Sequence, residues 1–180
     1  VNILKIPVLT TFNGFDLISS DNKYFIGRIG SLGSSAGNFA LQNADLILCI
    51  GTRNNIRQIS YQWQNFAKNA KKIIIDIDQA ELMKQTVVGD TLIKCDAKEF
   101  ITNLYNKLPN NICINKEWLE WCKERKNKYP VVLDEYRITD TFIHPYNFIE
   151  QLTSKLNNNI TIVTGNGTAC ISVFQAGVVK

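Results

Sequence analysis

Apolar runs alternate with polar, helix-compatible segments along the first 108 residues of the chain. Each run is short and rich in aliphatic or β-branched residues, which is typical of strands buried inside a sheet. A long polar connection at 12–33 separates the first run from the rest. The runs that predict strands are IPVLTT at 6–11, DLILCIG at 45–51, KKIIIDID at 71–78 and TLIKC at 91–95.

Helix signals follow these runs. Ser34 or Ser35 can cap a helix that begins directly after the polar connection. Asp96 and Glu99 have the spacing of a capping box, which predicts a helix that extends to about Leu108. Strands that alternate with helices in this way predict βαβ units, so the expected fold class is α/β with a parallel sheet.

The pattern changes after residue 110, and we expect three parts: a first domain at 1–110, a helix and linker at 111–143, and the beginning of a second α/β domain at 144–180. The predicted elements of the later parts are a charged helix at 116–128, an extended linker at 129–143, a helix opened by Pro145, a buried strand with a glycine turn at 160–167, and a helix at 168–179.

The polar segments that follow the strands are expected to meet. Right-handed crossovers make all strands of such a sheet point the same way, and open parallel sheets bind ligands at the edge where the strands end. Glycines, arginines and carboxylates at this edge suit a nucleotide with a diphosphate, such as ADP or FAD. The segments are 30–34, 51–53, 76–78 and 96–97.

Simpler interpretations of the same residues stay open. The glycines of GRIGSLGSSAGN, at 27–38, are also compatible with tight turns alone. Arg53 could be a surface charge or pair with Asp76, and Asp78 could merely cap the helix near Ala80. The pattern therefore indicates a nucleotide-binding α/β domain and no particular reaction.

Composition narrows the class of protein. The 180 residues include 20 basic and 16 acidic side chains, and the densest basic run, at 123–128, predicts a solvated helix face, not a nucleic-acid surface. Five cysteines without Cys-x-x-Cys spacing predict unpaired thiols in a reducing, cytoplasmic compartment. With His144 as its single histidine, the chain cannot form a zinc site from histidine pairs, and no apolar run approaches the length of a membrane span.

Several of these segments, in this order and spacing, resemble one family. IPVLTT, the run from Phe25 to Arg53, IIIDIDQAEL and the helix start at Cys95 are similar to the central domain of thiamine diphosphate-dependent enzymes. Among these enzymes, the similarity is greatest to the large catalytic subunit of acetolactate synthase. FIEQL after His144 and the stretch ITIVTGNGTACISVFQAG resemble the start of that family's C-terminal, diphosphate-binding domain. The resemblance implies a Rossmann-like, doubly wound parallel sheet of the DHS-like NAD/FAD-binding type.

The resemblance also implies cofactors and a reaction. The parent enzyme would bind thiamine diphosphate and Mg²⁺, decarboxylate a 2-oxo acid such as pyruvate, and join the product to a second carbonyl compound as a homodimer or homotetramer. FAD or ADP would bind in the central domain. The flavin and ribityl part of FAD would meet Gly30, Ser31, Leu32, Gly33 and Ser34. The diphosphate would meet Gly51, Thr52, Arg53 and Arg57, and the adenosine end would meet Asp76, Ile77, Asp96 and Ala97. The diphosphate of the thiamine cofactor would meet Asn166, Gly167, Thr168 and Ala169.

The chain also departs from the family. Ser31 and Leu32 stand where the family's loop commonly has methionine and histidine, so ADP or no ligand is an alternative to FAD. The activating glutamate would precede Val1 and the Mg²⁺-binding motif would follow Lys180, so we expect a truncated chain that is inactive alone and carries no catalytic residue.

Three other functions compete with this one. A non-catalytic nucleotide- or flavin-binding module, or another thiamine diphosphate-dependent decarboxylase or lyase, is the alternative. A sirtuin-like deacylase is disfavoured by the unpaired cysteine spacing and by the position of His144 in the linker.

Overall fold

The computed structural model describes residues 1–109, 112, 115–138, 141–157 and 159–180. The expected domain boundary at 110–111 and Cys113 lie outside these residues. The strands are β1 (Val8–Thr10), β2 (Phe25–Arg28), β3 (Leu46–Ile50), β4 (Lys71–Asp76) and β5 (Thr91–Lys94). The helices are α1 (Ser35–Asn43), α2 (Ile56–Ile59), α3 (Gln79–Met83), α4 (Ala97–Lys107), α5 (Lys116–Lys128), α6 (Pro145–Lys155) and α7 (Thr168–Ala176).

Every pair of neighbouring strands is parallel, which confirms the α/β class. β1 pairs with β2, and β4 lies between β3 and β5. The described strands thus form two parallel sheets, not one continuous sheet. Each sheet has its own cluster of buried apolar residues, and Leu9 of β1 packs against both clusters.

The interior is built from strand residues covered by helices. Ile74 and Ile75 of β4 are buried, and Leu82 of α3 packs against the first of them. On the other sheet, Ile26 packs with α1 and with Cys122 of α5. None of the described helices has the length and apolarity to cross a membrane.

The expectation of an irregular connection across 12–33 was wrong in one part, because β2 lies inside it. All four β2 residues, Phe25 to Arg28, are buried. A glycine and an arginine interrupt the apolar pattern there, so no run of apolar side chains marks the strand. The backbone nevertheless pairs with β1, and Arg28 is buried along with its apolar neighbours.

The expected strand at 160–167 was also wrong. These residues are exposed and no strand is assigned to them; Val163 has 89% of its surface accessible. A β-branched run has the right side chains for a strand, but a strand also needs a neighbour for its backbone hydrogen bonds. No described strand pairs with this segment.

The C-terminal helix docks on the first half of the chain. The guanidinium of Arg28 donates to the main-chain oxygens of Gln175 (3.1 Å) and Gly177 (2.9 Å) at the end of α7. The rings of Phe12 and Phe174 stack with centroids 4.6 Å apart. α7 therefore packs next to β2 and to the turn that follows β1.

The basic run on α5 is not entirely a solvated face. Lys126 donates to the main-chain oxygen of Phe25 over 2.7 Å, and burial lowers its pKa. Arg125 lies over the ring of Trp121, with 4.1 Å between the guanidinium carbon and the ring centroid. Part of the positive charge of this helix therefore anchors it to β2.

Candidate functional site

The carboxyl ends of β3, β4 and β5 bring three of the expected segments side by side. The amide of Gly51 donates to the Ile75 oxygen (2.9 Å), and the amide of Cys95 donates to the Asp76 oxygen (3.1 Å). A Cβ atom built on Gly51 would lie 3.6 Å from the Cβ of Ala97. Residues 51, 76 and 97 are therefore neighbours along one edge, as the topology argument required.

The glycine loop, residues 30–34, joins this edge through Arg57. The φ angle of Gly30 is +114°, and a Cβ there would collide with the main-chain oxygen of Arg57. The amide of Ser31 donates to the same oxygen over 2.8 Å. Gly30 is thus required by backbone conformation and by close packing, as the turn interpretation anticipated.

Most amides of the glycine loop are already engaged. A phosphate cradle needs N–H groups that point at the anion, and only the amide of Leu32 has no internal acceptor among the hydrogen bonds described for this loop. The loop therefore does not form a diphosphate cradle in this conformation. Its engaged donors are Gly30 to Asn38 Oδ1 (3.0 Å), Ser31 to Arg57 O (2.8 Å), Gly33 to Gly30 O (2.9 Å) and Ser34 to Arg28 O (2.9 Å).

Arg53 is engaged by a residue that the sequence analysis missed. Its Nε and Nη2 donate to Oε1 of Glu81 over 2.8 and 2.6 Å. Lys84 donates to the other oxygen of Glu81 over 2.7 Å and also to the main-chain oxygen of Arg53. The side chain of Glu81 is only 15% exposed, whereas that of Arg53 is 74% exposed. The Glu–Lys spacing of three within a short helix was the available signal.

These contacts shift the charge equilibria of the cluster. Hydrogen bonds from Lys84 and then from Arg53 lower the pKa of Glu81. The hydrogen bond and charge of Glu81 raise the pKa of Arg53, with smaller contributions from Asp78 and Asp76. Both shifts favour the charged forms of Glu81 and Arg53.

The lowered pKa of Glu81 predicts a pH-dependent contribution to stability. The pKa of Glu81 is lower in the folded protein than in the unfolded chain, so the charged carboxylate stabilises the folded state. This stabilisation is fully present above the pKa of the unfolded state and is lost as pH falls through the pKa of the folded state. At pH 7 we expect the free energy of unfolding of wild type to exceed that of Glu81→Gln by up to about 1 kcal/mol. Urea unfolding at pH 7 and pH 3 tests this, and a difference that persists at pH 3 would contradict it.

The carboxylates at the strand ends mostly cap helices. Asp78 accepts from the amide of Ala80 (2.8 Å), which confirms the simpler interpretation, and Asp76 accepts from the amide of Asp78 (2.9 Å) instead of pairing with Arg53. Asp96 accepts from the amides of residues 98 and 99. The expected return bond from Glu99 is not among the contacts of this cap.

A capping box occurs instead at the start of α2. The side chain of Gln58 accepts from the amide of Asn55 over 2.9 Å, and Asn55 caps the helix in return. Gln58 also donates to Thr52 Oγ1 over 2.8 Å and so ties α2 to the end of β3. The Asn-x-x-Gln spacing was the overlooked signal.

The guanidinium of Arg57 lies 5.7 Å from the ring centroid of Phe12.

The expected thiamine diphosphate segment forms the start of α7, apart from this edge. Gly167 is the N-cap with φ of +87°, and it supplies no side-chain cap for Thr168 and the following amides. The segment 166–169 is exposed, and no described hydrogen bond joins it to the edge residues. An open helix N-terminus of this kind fits a diphosphate group.

The chain is similar in sequence to a known protein family. A family profile described as "Thiamine pyrophosphate enzyme, central domain" matches residues 1–104. The acetolactate synthase large subunit of Pyropia yezoensis is 30% identical over 171 residues, which is 93% of this chain and 28% of that protein. The probable acetolactate synthase large subunit of Methanococcus aeolicus is 32% identical over 182 residues, covering 93% of this chain and 30% of that protein.

A third relative has the same description. The probable acetolactate synthase large subunit of Methanocaldococcus jannaschii is 35% identical over 155 residues, which is 86% of this chain. The chain thus spans between 25% and 30% of the length of these three relatives. The similarity continues past residue 104 into the C-terminal helices.

Proposed function

The chain belongs to the thiamine pyrophosphate enzyme family, and on that premise we propose that it acts within an acetolactate synthase-like enzyme that decarboxylates a 2-oxo acid, with pyruvate as donor, and joins the product to a second carbonyl compound. The match of residues 1–104 to the family's central domain carries this proposal. The relatives named acetolactate synthase large subunit support the choice within the family. We further propose that the active enzyme is a homodimer or homotetramer in the cytoplasm.

Thiamine diphosphate, held with Mg²⁺, would supply the carbanion chemistry of this reaction. The part of the site proposed for this chain is the start of α7, where Asn166, Gly167, Thr168 and Ala169 would bind the diphosphate. Its first amides lack a side-chain cap, and the positive end of the helix dipole favours an anion there. These residues would bind and orient the cofactor; no proton transfer is assigned to them.

A nucleotide is proposed at the edge formed by residues 51–53, 76–77 and 96–97, with FAD or ADP as the candidates. Asp76 is buried at the end of β4, and Asp96 is exposed at the start of α4. Acidic residues at strand ends suit ribose hydroxyl groups. The exposed hydroxyl of Ser31 and the partly buried Leu32 of the glycine loop would face the other end of the ligand.

The proposal is tested by thiamine diphosphate-dependent turnover of the full-length protein. We expect CO₂ release from pyruvate only when both thiamine diphosphate and Mg²⁺ are present. Thr168→Pro removes one amide donor at the first position of α7, where proline is compatible with a helix. It is expected to weaken thiamine diphosphate binding roughly tenfold or more, the effect of losing a hydrogen bond to a charged group.

Thr168→Ala is the matched control, because it removes the side chain and keeps the amide. Its affinity for thiamine diphosphate should stay within about twofold of wild type, since the proposed contact is made by the backbone. Equal losses in the two variants would contradict the proposed diphosphate contact. Absence of cofactor-dependent CO₂ release from every 2-oxo acid tested would contradict the proposed reaction.

A further inference from the structure

We propose that Glu81 restricts phosphate binding at the nucleotide edge, so that an adenine nucleotide is held there mainly through its adenosine part. This inference rests on the nucleotide site proposed above. It goes beyond that proposal by naming the part of the ligand that is recognised and a residue that sets the preference. Glu81 was not among the residues expected from the sequence.

The first observation is that the guanidinium of Arg53 is already paired with a carboxylate. Two of its guanidinium nitrogens contact one oxygen of Glu81, at 2.8 and 2.6 Å. Lys84 contacts the second oxygen at 2.7 Å, so two cations share a single carboxylate. The Glu81 side chain is only 15% exposed and that of Arg53 is 74% exposed, so solvent screens the carboxylate less than the guanidinium.

The second observation concerns the other donors that a diphosphate would need. The guanidinium of Arg57 is directed toward the ring of Phe12, and the Arg57 main-chain oxygen accepts from Ser31. The amide of Gly51 donates to Ile75 within the sheet. Within the described residues, the Gly51 amide and the Arg53 side chain are thus engaged by other partners. The guanidinium of Arg57 has an aromatic neighbour and no hydrogen bond among the described contacts.

The third observation is the charge of the surroundings. Asp76 and Asp78 lie close enough to Arg53 for their charges to raise its pKa. A phosphate entering here meets these carboxylates as well as Glu81, whereas a ribose can donate its hydroxyl hydrogens to carboxylate oxygens. The arrangement therefore favours an uncharged sugar over a phosphate.

For Arg53 to bind a phosphate, it must leave Glu81. That step leaves a partly buried carboxylate with Lys84 as its remaining cationic partner and near the incoming negative charge. The cost opposes the gain from the new contact between Arg53 and the phosphate. Removing the charge of Glu81 removes this cost for ligands that carry phosphate. The affinity for adenosine, which has no phosphate, should not change.

Isothermal titration of ADP and adenosine into wild type and Glu81→Gln tests the inference. In wild type, the affinities for the two ligands should differ by less than about threefold, as expected when phosphate contributes little. Glu81→Gln should bind ADP roughly five- to tenfold more tightly, because Arg53 can then contact the phosphate without separating from a partly buried carboxylate. Its affinity for adenosine should change by less than about twofold.

Two further variants identify the cause. In an Arg53→Gln background, Glu81→Gln should increase ADP affinity by no more than about twofold, because the guanidinium it would release is gone. Glu117→Gln makes the same charge change at an exposed position on α5 and should leave both affinities unchanged. A selective gain for ADP that persists without Arg53 would overturn the mechanism.

The remaining outcomes separate this inference from the proposal on which it rests. Adenosine binding without a selective gain for ADP in Glu81→Gln would overturn the role of Glu81 and leave the nucleotide site standing. Weaker ADP binding by Glu81→Gln would show that Glu81 positions Arg53 for phosphate, which is the opposite role. If no variant binds either ligand, the nucleotide site and the inference both fail.

Discussion

Gly37→Ala is expected to lower the free energy of unfolding by about 2–4 kcal/mol, because α1 packs directly on the backbone of β2 at this residue. A Cβ atom on Gly37 would lie within about 3 Å of three main-chain atoms of Arg28. These atoms belong to a paired strand and cannot rotate away, so the helix itself must shift. Alanine has the higher helix propensity by about 1 kcal/mol, and this offsets only part of the cost.

Chemical unfolding followed by circular dichroism measures the effect, with Gly165→Ala as the matched control. Gly165 is exposed, and a Cβ there would meet no atom within 4 Å. The control should stay within about 0.5 kcal/mol of wild type, as is usual for surface substitutions. If Gly37→Ala is as stable as the control, the close contact between α1 and β2 is not present in solution.

Arg28→Met has the second large expected effect, the undocking of α7. Arg28 is 7% exposed and is surrounded by the rings of Phe15, Phe25 and Phe174. It forms no ion pair among the described residues. Burial lowers its pKa to about 10. The guanidinium compensates for this cost by donating to the oxygens of Gln175 and Gly177.

Methionine keeps most of the volume and the contact with the aromatic rings, but it cannot donate to those two oxygens. Removing a buried charge is favourable, and this partly offsets the cost of leaving two carbonyl groups without a donor. The whole protein should therefore stay folded. Local opening of α7 should become easier by about 1–3 kcal/mol, which speeds amide exchange in 171–177 roughly ten- to a hundredfold. Hydrogen exchange resolved along the chain measures this directly.

Arg125→Met is the control for this prediction. Arg125 also lies over an aromatic ring, but its carboxylate partner Glu124 is 70% exposed, and the pair is on α5 instead of next to α7. Exchange in 171–177 should therefore match wild type. Unchanged exchange in Arg28→Met would mean that other contacts, such as the stacking of Phe12 on Phe174 and the hydrogen bond from Gln175 to the Leu32 oxygen, are enough to hold the helix.

Much of the fold could be read from local sequence signals. KKIIIDID predicted β4 because an uninterrupted aliphatic run marks a buried strand. The sequence predicted a cap at Asp96, at Ser34 or Ser35 and, as one of two interpretations, at Asp78. In the structure Ser34, Asp78 and Asp96 each accept a hydrogen bond from the first turn of a helix. These signals act over three or four residues, so the rest of the chain is not needed to interpret them.

The two misassigned segments show the limit of such signals. Phe25 to Arg28 forms a strand although its pattern is interrupted, because β1 offers hydrogen bonds and α7 offers acceptors for Arg28. The segment 160–167 has the better strand composition but no described strand beside it. In both cases the outcome depends on whether another strand lies alongside, and local composition carries no information about that.

The candidate site divides in the same way. Periodicity and caps alone placed residues 51–53, 76 and 96–97 at the ends of successive strands, and parallel topology required them to meet. Their family was recognisable from the order and spacing of the motifs.

The tertiary structure alone decided that Arg53 contacts Glu81, 28 positions away, and that Arg28 contacts residues almost 150 positions away. A charged side chain binds the nearest oxygen in space, and that distance is set by the packing of the whole chain.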